Sequence, residues 1–214
     1  MATYPRTPRT TPHRSRDRVG YDRAAVHAAL DEAWHCHLAF TIAGRPAVLP
    51  TLHVRIGEAV YVHGSTGSGP MLAARTAAGL PVCLTVTLLD GLVYARSLFH
   101  HSVNYRAVVA HGDAHLVSDP AERRRVFRAL VDRFGAGRSD DARAVSDRED
   151  AQTAVLRLDL REVSYKERRG GPVDDPGDHA LPHWAGVVAL RVVPGAPVTD
   201  TGVTAAPPPY LPTA

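Results

Sequence analysis

The chain has 214 residues, a formal net charge of +3 and 44% hydrophobic residues. This length and composition allow one domain with a sizeable core, and no apolar run approaches the ~20 residues of a membrane span. The first residues lack the apolar segment of a secretory signal. The small positive charge fits an anionic small molecule better than a nucleic-acid groove. Cys36 and Cys83 both lie in apolar runs and predict free thiols in a reduced, cytoplasmic protein.

The chain opens with residues 1–18, whose repeated Arg-Thr-Pro elements predict a disordered arm. Asp22 then predicts the N-cap of a helix, and Ser118-Asp119-Pro120 predicts the start of another. Apolar and β-branched runs predict strands at 36–42, 47–54, 58–63, 81–89, 92–99, 104–116, 153–165 and 184–193.

The connections between these strands indicate the fold class. Asp90-Gly91 is typical of a hairpin turn, and so is Gly44-Arg45-Pro46. Because hairpins dominate, we predict a mainly β protein, an antiparallel β-barrel with accessory helices. Residues 19–194 are predicted to form a single domain, followed by a Pro-rich tail at 195–214.

Three stretches carry candidate chemistry. Residues 64–70 join a strand to a small-residue helix with glycines and two serines, which predicts an anion site or an ordinary surface turn. Within residues 98–112, positions 100–106 place two adjacent His, a Ser, an Asn, a Tyr and an Arg between apolar runs, as a ligand site or a solvated turn. In the stretch 162–186, Lys166 and Arg168 share one strand face, and Trp184 caps an aromatic ligand or fills core.

Two other chemistries find little support. His35 and His37 share a strand face and could hold zinc, but no third ligand is evident nearby. A serine hydrolase is not supported because the Gly-x-Ser-x-Gly elbow is missing, and both cysteines lie in apolar surroundings.

Four blocks together resemble the pyridoxamine 5′-phosphate oxidase-like superfamily, and within it the flavin-nucleotide-binding branch with the nitroimidazole-resistance (Nim) proteins. They are Tyr61-Val62-His63-Gly64-Ser65, His100-His101-Ser102-Val103-Asn104-Tyr105-Arg106, the Lys166-x-Arg168-x-Gly170-x-Pro172-x-Asp174 loop and Trp184-Ala185-Gly186-Val187. The resemblance covers residues 18–200. It implies an FMN-binding split β-barrel that forms a homodimer with FMN at the subunit interface.

The resemblance also implies where the cofactor contacts lie. The FMN phosphate is expected near His63, Gly64, Ser65 and Ser68, and the flavin ring along Val48, Pro50 and Thr51. The remaining cofactor-binding residues that it implies are Asn104, Tyr105, Arg106, Lys166, Arg168 and Trp184. Gly69-Pro70 stands where that oxidase carries basic residues, which argues against true pyridoxamine-phosphate oxidase activity.

The resulting hypothesis is an FMN-dependent oxidoreductase of nitroreductase type, acting on a small aromatic or nitro compound. His53 and His101 are its predicted catalytic residues, as proton donors near the substrate. One alternative is a haem-binding split-barrel protein with His53, His63 or His101 as axial ligand. The other is a non-catalytic flavin-binding protein. No metal ion, nucleic acid or membrane is expected as a partner.

Overall fold

The structure is a computed structural model that describes residues 2–14 and 16–212. Four α-helices are present in these ranges: α1 (Arg23–Glu32), α2 (Gly69–Ala73), α3 (Pro120–Asp132) and α4 (Asp147–Gln152). The strands are β1 (Val19–Gly20), β2 (His35–Ile42), β3 (Arg45–Ile56), β4 (Ala59–Ser65), β5 (Leu80–Tyr94), β6 (Ser102–Leu116), β7 (Thr153–Asp159), β8 (Glu162–Arg168) and β9 (Gly186–Ala189). Short 3-10 helices lie at Arg16–Arg18, Leu98–His100 and Pro176–Ala180.

The strands hydrogen-bond in the order β1-β8-β6-β7-β4-β3-β2-β5-β9. An additional pairing of β6 with β5 closes the six strands from β6 to β5 into a ring of hydrogen-bonded neighbours. The pairing is antiparallel where the register is defined, for example between β6 and β8 and between β4 and β7. This arrangement confirms the predicted mainly β class with accessory helices.

Contacts divide the chain into two compact units. The first comprises residues up to Thr51, Pro81–Gly112 and Leu160–Arg191. The second comprises Leu52–Leu80, Asp113–Asp159 and the residues from Val192 onward. A single domain over residues 19–194 was the expectation from sequence, so this division is finer than the predicted one.

The two longer helices begin where their sequences predict. The Asp22 carboxylate accepts a hydrogen bond from the Ala25 amide at 2.9 Å, which caps α1. Asp119 caps α3 by accepting from the Ala121 and Glu122 amides, and Pro120 occupies the first turn. In the second unit, α3 packs its buried side chains against β4 and β7, with Val54, Ala59, Tyr61, Val117, Val126, Leu130 and Val155 forming one apolar cluster.

The predicted hairpin at Asp90-Gly91 is wrong, because β5 runs straight through both residues. Gly91 lies opposite Ala189 of β9, and an added Cβ would lie 3.0 Å from the Val188 carbonyl oxygen. The glycine therefore permits close approach of a neighbouring strand, which is an alternative reason for a glycine inside a strand. Asp90 meanwhile accepts hydrogen bonds from Arg106.

Two other strand predictions also differ from the structure. The run at 153–165 forms two strands, β7 and β8, because the chain turns at Leu160-Arg161 while Leu160 stays buried and preserves the apolar alternation. The last strand is shorter than the predicted 184–193 and covers Gly186–Ala189. Neighbours of β9 such as Trp184 and Val192 are exposed.

The N-terminal segment is packed, which differs from the predicted disordered arm. Tyr4 is 2% exposed and shares a hydrogen bond with His27 of α1 at 2.9 Å. Its amide donates to the Tyr21 carbonyl, and the Tyr21 hydroxyl donates to the carbonyl of the buried Thr10. Buried aromatic rings thus anchor a segment whose average composition is that of a disordered chain.

Candidate functional site

An aromatic cluster in the first unit unites two of the predicted site residues. Trp184 is 67% exposed, and its ring lies 5.5 Å from the ring of the half-buried Tyr94. Tyr94 also contacts His101, whose ring lies 6.0 Å from the Tyr94 ring in an edge-to-face arrangement. The cluster offers exposed π surface to a flat ligand. Tyr94 was missed from the sequence because it appears there as one more residue of an apolar strand.

The geometry of His101 defines the state of its imidazole. Its Nδ1 lies 2.9 Å from the Ser97 carbonyl oxygen. Since a carbonyl oxygen only accepts, Nδ1 carries the proton, and in the neutral ring Nε2 holds the lone pair. The side chain is exposed, so this lone pair is accessible to a ligand. A histidine that donates through one ring nitrogen to a backbone carbonyl has the usual arrangement of a metal-ligating imidazole.

Asn104 and Arg168, predicted together from the family resemblance, are in direct contact. Arg168 is 8% exposed and donates to the Asn104 side-chain oxygen at 2.6 Å. It also donates to the carbonyls of Gly170 and Gly171, and the Asn104 amide donates to Gly170 at 3.1 Å. These bonds fix the chain immediately after β8. Arg168 thereby holds a loop, whatever else it binds.

A second clamp holds the same loop and was missed from the sequence. The Arg96 amide and guanidinium donate to the two carboxylate oxygens of Asp174 at 3.0 and 2.8 Å. Burial raises the pKa of Asp174, but the hydrogen bonds from Arg96 outweigh burial and bring that pKa below its ordinary value. Arg96 and Asp174 are 78 positions apart in the sequence, so no local pattern could reveal their contact.

Arg106 is surrounded by carboxylates. It donates to both oxygens of Asp90, at 2.9 and 2.7 Å, and to Glu32 of α1 at 2.8 Å. The hydrogen bond to Glu32 contributes most and that to Asp90 next, and together they raise the pKa of Arg106 above its ordinary value. The guanidinium that the family resemblance implied as a cofactor ligand is satisfied within the chain. Its role as a cofactor ligand stays a prediction.

Tyr105 of β6 and Lys166 of β8, also predicted as cofactor-binding residues, lie beside Asn104 and Arg168. Tyr105 pairs with Arg168, and Lys166 pairs with Ala107 across the two strands. Both Tyr105 and Lys166 are partly buried. In the first unit, Asn104 therefore contacts Arg168, and Tyr94 contacts both His101 and Trp184.

The predicted phosphate loop lies in the second unit. The buried Nδ1 of His63 makes no hydrogen bond to any described residue, and burial lowers the pKa of His63. Ser68 is the N-cap of α2 but makes no capping hydrogen bond, whereas Ser65 accepts from the Gly67 amide. Gly64 is needed for packing, since an added Cβ would lie 3.1 Å from the Met71 methyl carbon. Among the described residues, the loop thus has a buried imidazole nitrogen without a hydrogen bond and an N-cap serine without a capping hydrogen bond.

The predicted flavin strand and the second catalytic histidine both lie on β3. Val48 is 61% exposed, Pro50 is exposed and Thr51 is partly buried. His53, in contrast, is 0% exposed and pairs with Val62 of β4. Complete burial favours a structural role for His53, and its catalytic role stays a prediction.

Two further features lie away from the predicted site residues. A surface depression of about 340 Å³ is lined by Asp119, Ala121, Glu122, Arg125 and Arg157. Cys36 is buried and unpaired, and desolvation raises the pKa of its thiol to about 12. Such a thiol is protonated near neutral pH, so it is not an activated nucleophile. No helix in the described ranges is long and apolar enough to cross a membrane.

The comparison with known families gives one match over most of the chain. Residues 22–167 match the family described as pyridoxamine 5′-phosphate oxidase. A search among curated proteins gave no match.

Two solved structures share 36% sequence identity with this chain. The flavocytochrome Anf3 from Azotobacter vinelandii aligns over 95% of this chain and 94% of its own, with a TM-score of 0.87. A protein from Mycobacterium smegmatis described as binding FAD and haem aligns over 90% of this chain and 95% of its own, with a TM-score of 0.84.

A more distant structure tests the branch that the sequence resembles. It is a candidate 5-nitroimidazole antibiotic resistance protein from Bacteroides thetaiotaomicron, with 18% identity and a TM-score of 0.58 over 70% of this chain and 86% of its own. At this identity the likeness concerns the fold. The family match and the two structures at 36% identity confirm the resemblance stated from the sequence blocks. The chain is a member of the pyridoxamine 5′-phosphate oxidase-like family and has its mainly β, split-barrel fold.

Proposed function

We propose that this protein is a flavin- and haem-binding redox protein. The observation that carries the proposal is the geometry of His101, an exposed imidazole whose Nδ1–H is engaged by the Ser97 carbonyl and whose Nε2 is available to iron. The two structures at 36% identity support it, because one is a flavocytochrome and the other is described as binding FAD and haem. Haem was the alternative cofactor from the sequence, with His53, His63 or His101 as axial ligand.

His101 is the best of these three candidate ligands. His53 is completely buried, and the Nδ1 of His63 is buried as well. A haem needs an open face over its ligand, and only His101 combines exposure with aromatic neighbours, Tyr94 and Trp184. These rings would pack against the edge or the face of the macrocycle. Axial ligand and surrounding polarity then tune the redox potential.

The flavin fits the same family pattern. A bound flavin would supply one- and two-electron chemistry and a haem one-electron chemistry. His63 and Ser68 keep polar atoms free in the predicted phosphate loop. We propose FAD as the flavin, following the FAD-binding relative, in place of the FMN expected from sequence. Oxidoreductase activity on a small aromatic or nitro compound remains the predicted reaction.

A homodimer with the cofactor at its interface remains part of the proposal. Val48 and Leu49 are adjacent apolar residues of β3, and both are exposed although neighbouring strand residues face opposite sides. A second copy would cover this surface. Val48→Asp should give a monomer in light scattering and lower flavin retention. Loss of flavin without loss of the dimer would separate the cofactor site from the interface.

The direct test is the absorption spectrum of the purified protein, alone and after loading with haemin and FAD followed by desalting. We expect flavin bands together with a Soret band. In His101→Ala the Soret band should be lost or shifted while the flavin bands persist. His183→Ala, which removes another exposed histidine near Trp184, is the matched control and should retain both. A Soret band unchanged by His101→Ala would overturn the assigned ligand, and absence of both chromophores would overturn the function.

Release and identification of the flavin tests the second half of the proposal. Denaturation followed by chromatography should yield FAD, whereas FMN would favour the expectation from sequence. His63→Ala and Ser68→Ala together should lower flavin retention without loss of the Soret band. If the bound flavin is reduced by no nicotinamide or deazaflavin donor, the protein is a flavin binder and not an enzyme.

A further inference from the structure

Three side chains outside the proposed cofactor contacts converge in the first unit. They are His100 at the end of a 3-10 helix, and Asp175 and Asp178 on the loop between β8 and β9. One ligand atom from each lies within 4.8 Å of the other two. His100 Nε2 is 3.4 Å from an Asp175 carboxylate oxygen. One imidazole nitrogen and two carboxylates therefore face a common point.

The loop around this point is acidic, which favours a cation there. Asp174, Asp175 and Asp178 place three carboxylates within five residues, and one guanidinium, that of Arg96, is engaged by Asp174. The three carboxylates and the one guanidinium leave these four groups with a deficit of two positive charges. Two carboxylates that converge on one point repel each other, and a cation bound between them relieves this repulsion. The charge of a divalent ion matches this deficit.

The ligands are also held in place by the rest of the loop. Arg168 binds the Gly170 and Gly171 carbonyls, and Arg96 fixes Asp174, the residue next to Asp175. The Asp178 amide donates to the Asp175 carbonyl at 2.9 Å, which sets the two carboxylates one 3-10 turn apart. The ligands are thus presented on an ordered backbone, which lowers the entropy cost of binding an ion.

We propose that His100, Asp175 and Asp178 form a binding site for a divalent first-row transition-metal ion. One imidazole with two carboxylates suits Mn²⁺, Fe²⁺ or Zn²⁺, whereas Mg²⁺ and Ca²⁺ prefer oxygen ligands alone. Three protein ligands leave coordination positions for water or an anionic ligand. His100 and Asp178 are partly buried and Asp175 is exposed, so the ion would be reached from solvent.

The test is metal binding by the full-length protein after removal of metals with a chelator. Titration with Mn²⁺, followed by the electron paramagnetic resonance signal of the free ion, and calorimetry with Zn²⁺ should both show one saturable site per chain. Mg²⁺ and Ca²⁺ should compete poorly. His100→Gln and Asp178→Asn should each weaken binding by about tenfold or more, since each removes one of three ligands.

His179→Ala is the matched control, because it removes an exposed histidine next to Asp178 that is outside the cluster. It should bind as the unchanged protein does. His37→Ala tests the other histidine pair, His35 and His37, whose rings lie 5.4 Å apart. Binding that is lost in His37→Ala and retained in His100→Gln would overturn the proposal, as would equal loss in His179→Ala. Circular dichroism melts of each variant show that a loss of binding is not a loss of fold.

Discussion

Two arginine regions on neighbouring strands solve the problem of a partly buried cation in opposite ways. Arg106 of β6 is bound by the carboxylates of Asp90 and Glu32, so its charge is neutralised within the chain. Arg168 of β8, which pairs with the residue next to Arg106, is more deeply buried and binds neutral acceptors: the Asn104 amide and the Gly170 and Gly171 carbonyls.

This difference shows which arginine retains an uncompensated positive charge. A guanidinium bridged to two carboxylates has little electrostatic attraction left for a phosphate. A guanidinium held by neutral carbonyls keeps its net charge, and its position at the base of the loop that carries Asp174, Asp175 and Trp184 makes it a positioning residue for that loop. The family resemblance implied both arginines as cofactor ligands on equal grounds.

Removal of Arg168 should have the largest effect on this comparison. Arg168→Ala deletes three hydrogen bonds from a buried charged side chain and leaves the Asn104 oxygen and the Gly171 carbonyl without this donor. We expect the free energy of unfolding to fall by about 3 kcal/mol. Urea denaturation measures this loss. Limited proteolysis should show new cleavage after β8, because the loop is released.

Arg169→Ala is the control for this prediction. Arg169 is exposed and donates to Glu167, so its removal should cost less than about 1 kcal/mol. Equal destabilisation by the two substitutions, or an intact loop in Arg168→Ala, would show that the buried hydrogen bonds do not hold the loop.

Local sequence signals predicted those parts of the fold that depend on local chemistry. Asp22 and Asp119 cap the helices that follow them, because capping needs only residues two or three positions apart. Asp90-Gly91 misled for the same reason: the dipeptide is typical of a turn, but the close approach of β9, almost a hundred residues later, decides its conformation.

The site was predictable only in part. The family resemblance gave Asn104 and Arg168, and the structure unites them. No sequence pattern could indicate that Arg106 binds Glu32, which is 74 positions away, or that Arg96 binds Asp174. Tyr4 was missed because one aromatic anchor does not change the composition of an Arg- and Pro-rich segment. Non-local pairing decided each of these cases.

Removal of Arg106 should have the second-largest effect, and it should depend on salt. Arg106→Ala leaves Asp90 and Glu32 without their cation, and we expect the free energy of unfolding to fall by about 1–2 kcal/mol after allowance for solvent screening. Since ~1 M salt reduces the Debye length to about 3 Å, the cost should shrink in salt. The cost of Arg168→Ala should stay the same in salt, because the partners of Arg168 are neutral. Urea denaturation at low and high salt measures both.

Flavin retention should distinguish a structural role of Arg106 from a role as cofactor ligand. Arg106→Ala and Arg124→Ala, a substitution on the polar face of α3, are compared for flavin retention after desalting. If Arg106 acts within the chain alone, the two variants retain equal flavin once both are folded. A selective loss in Arg106→Ala would restore Arg106 to the cofactor site.

The smallest effect should come from Glu32, and pH reveals it. The hydrogen bond from Arg106 outweighs burial and lowers the pKa of Glu32 below its ordinary value of 4.5. A carboxylate whose pKa is lower in the folded state stabilises the fold above its unfolded pKa, and this stabilisation is lost as the pH falls through the lowered, folded value. Glu32 is half-exposed, so Glu32→Gln should cost at most about 0.5–1 kcal/mol at pH 7. The difference between the unchanged protein and Glu32→Gln should therefore be present at pH 7 and decline below pH ~4.5, toward zero once Glu32 is protonated in both states.

Urea denaturation at pH 7, 5 and 3.5 measures this difference in the free energy of unfolding, with Asp31→Asn, the exposed neighbour on α1, as the control. A difference that persists unchanged at pH 3.5 would show that Glu32 contributes through packing and not through its ion pair with Arg106.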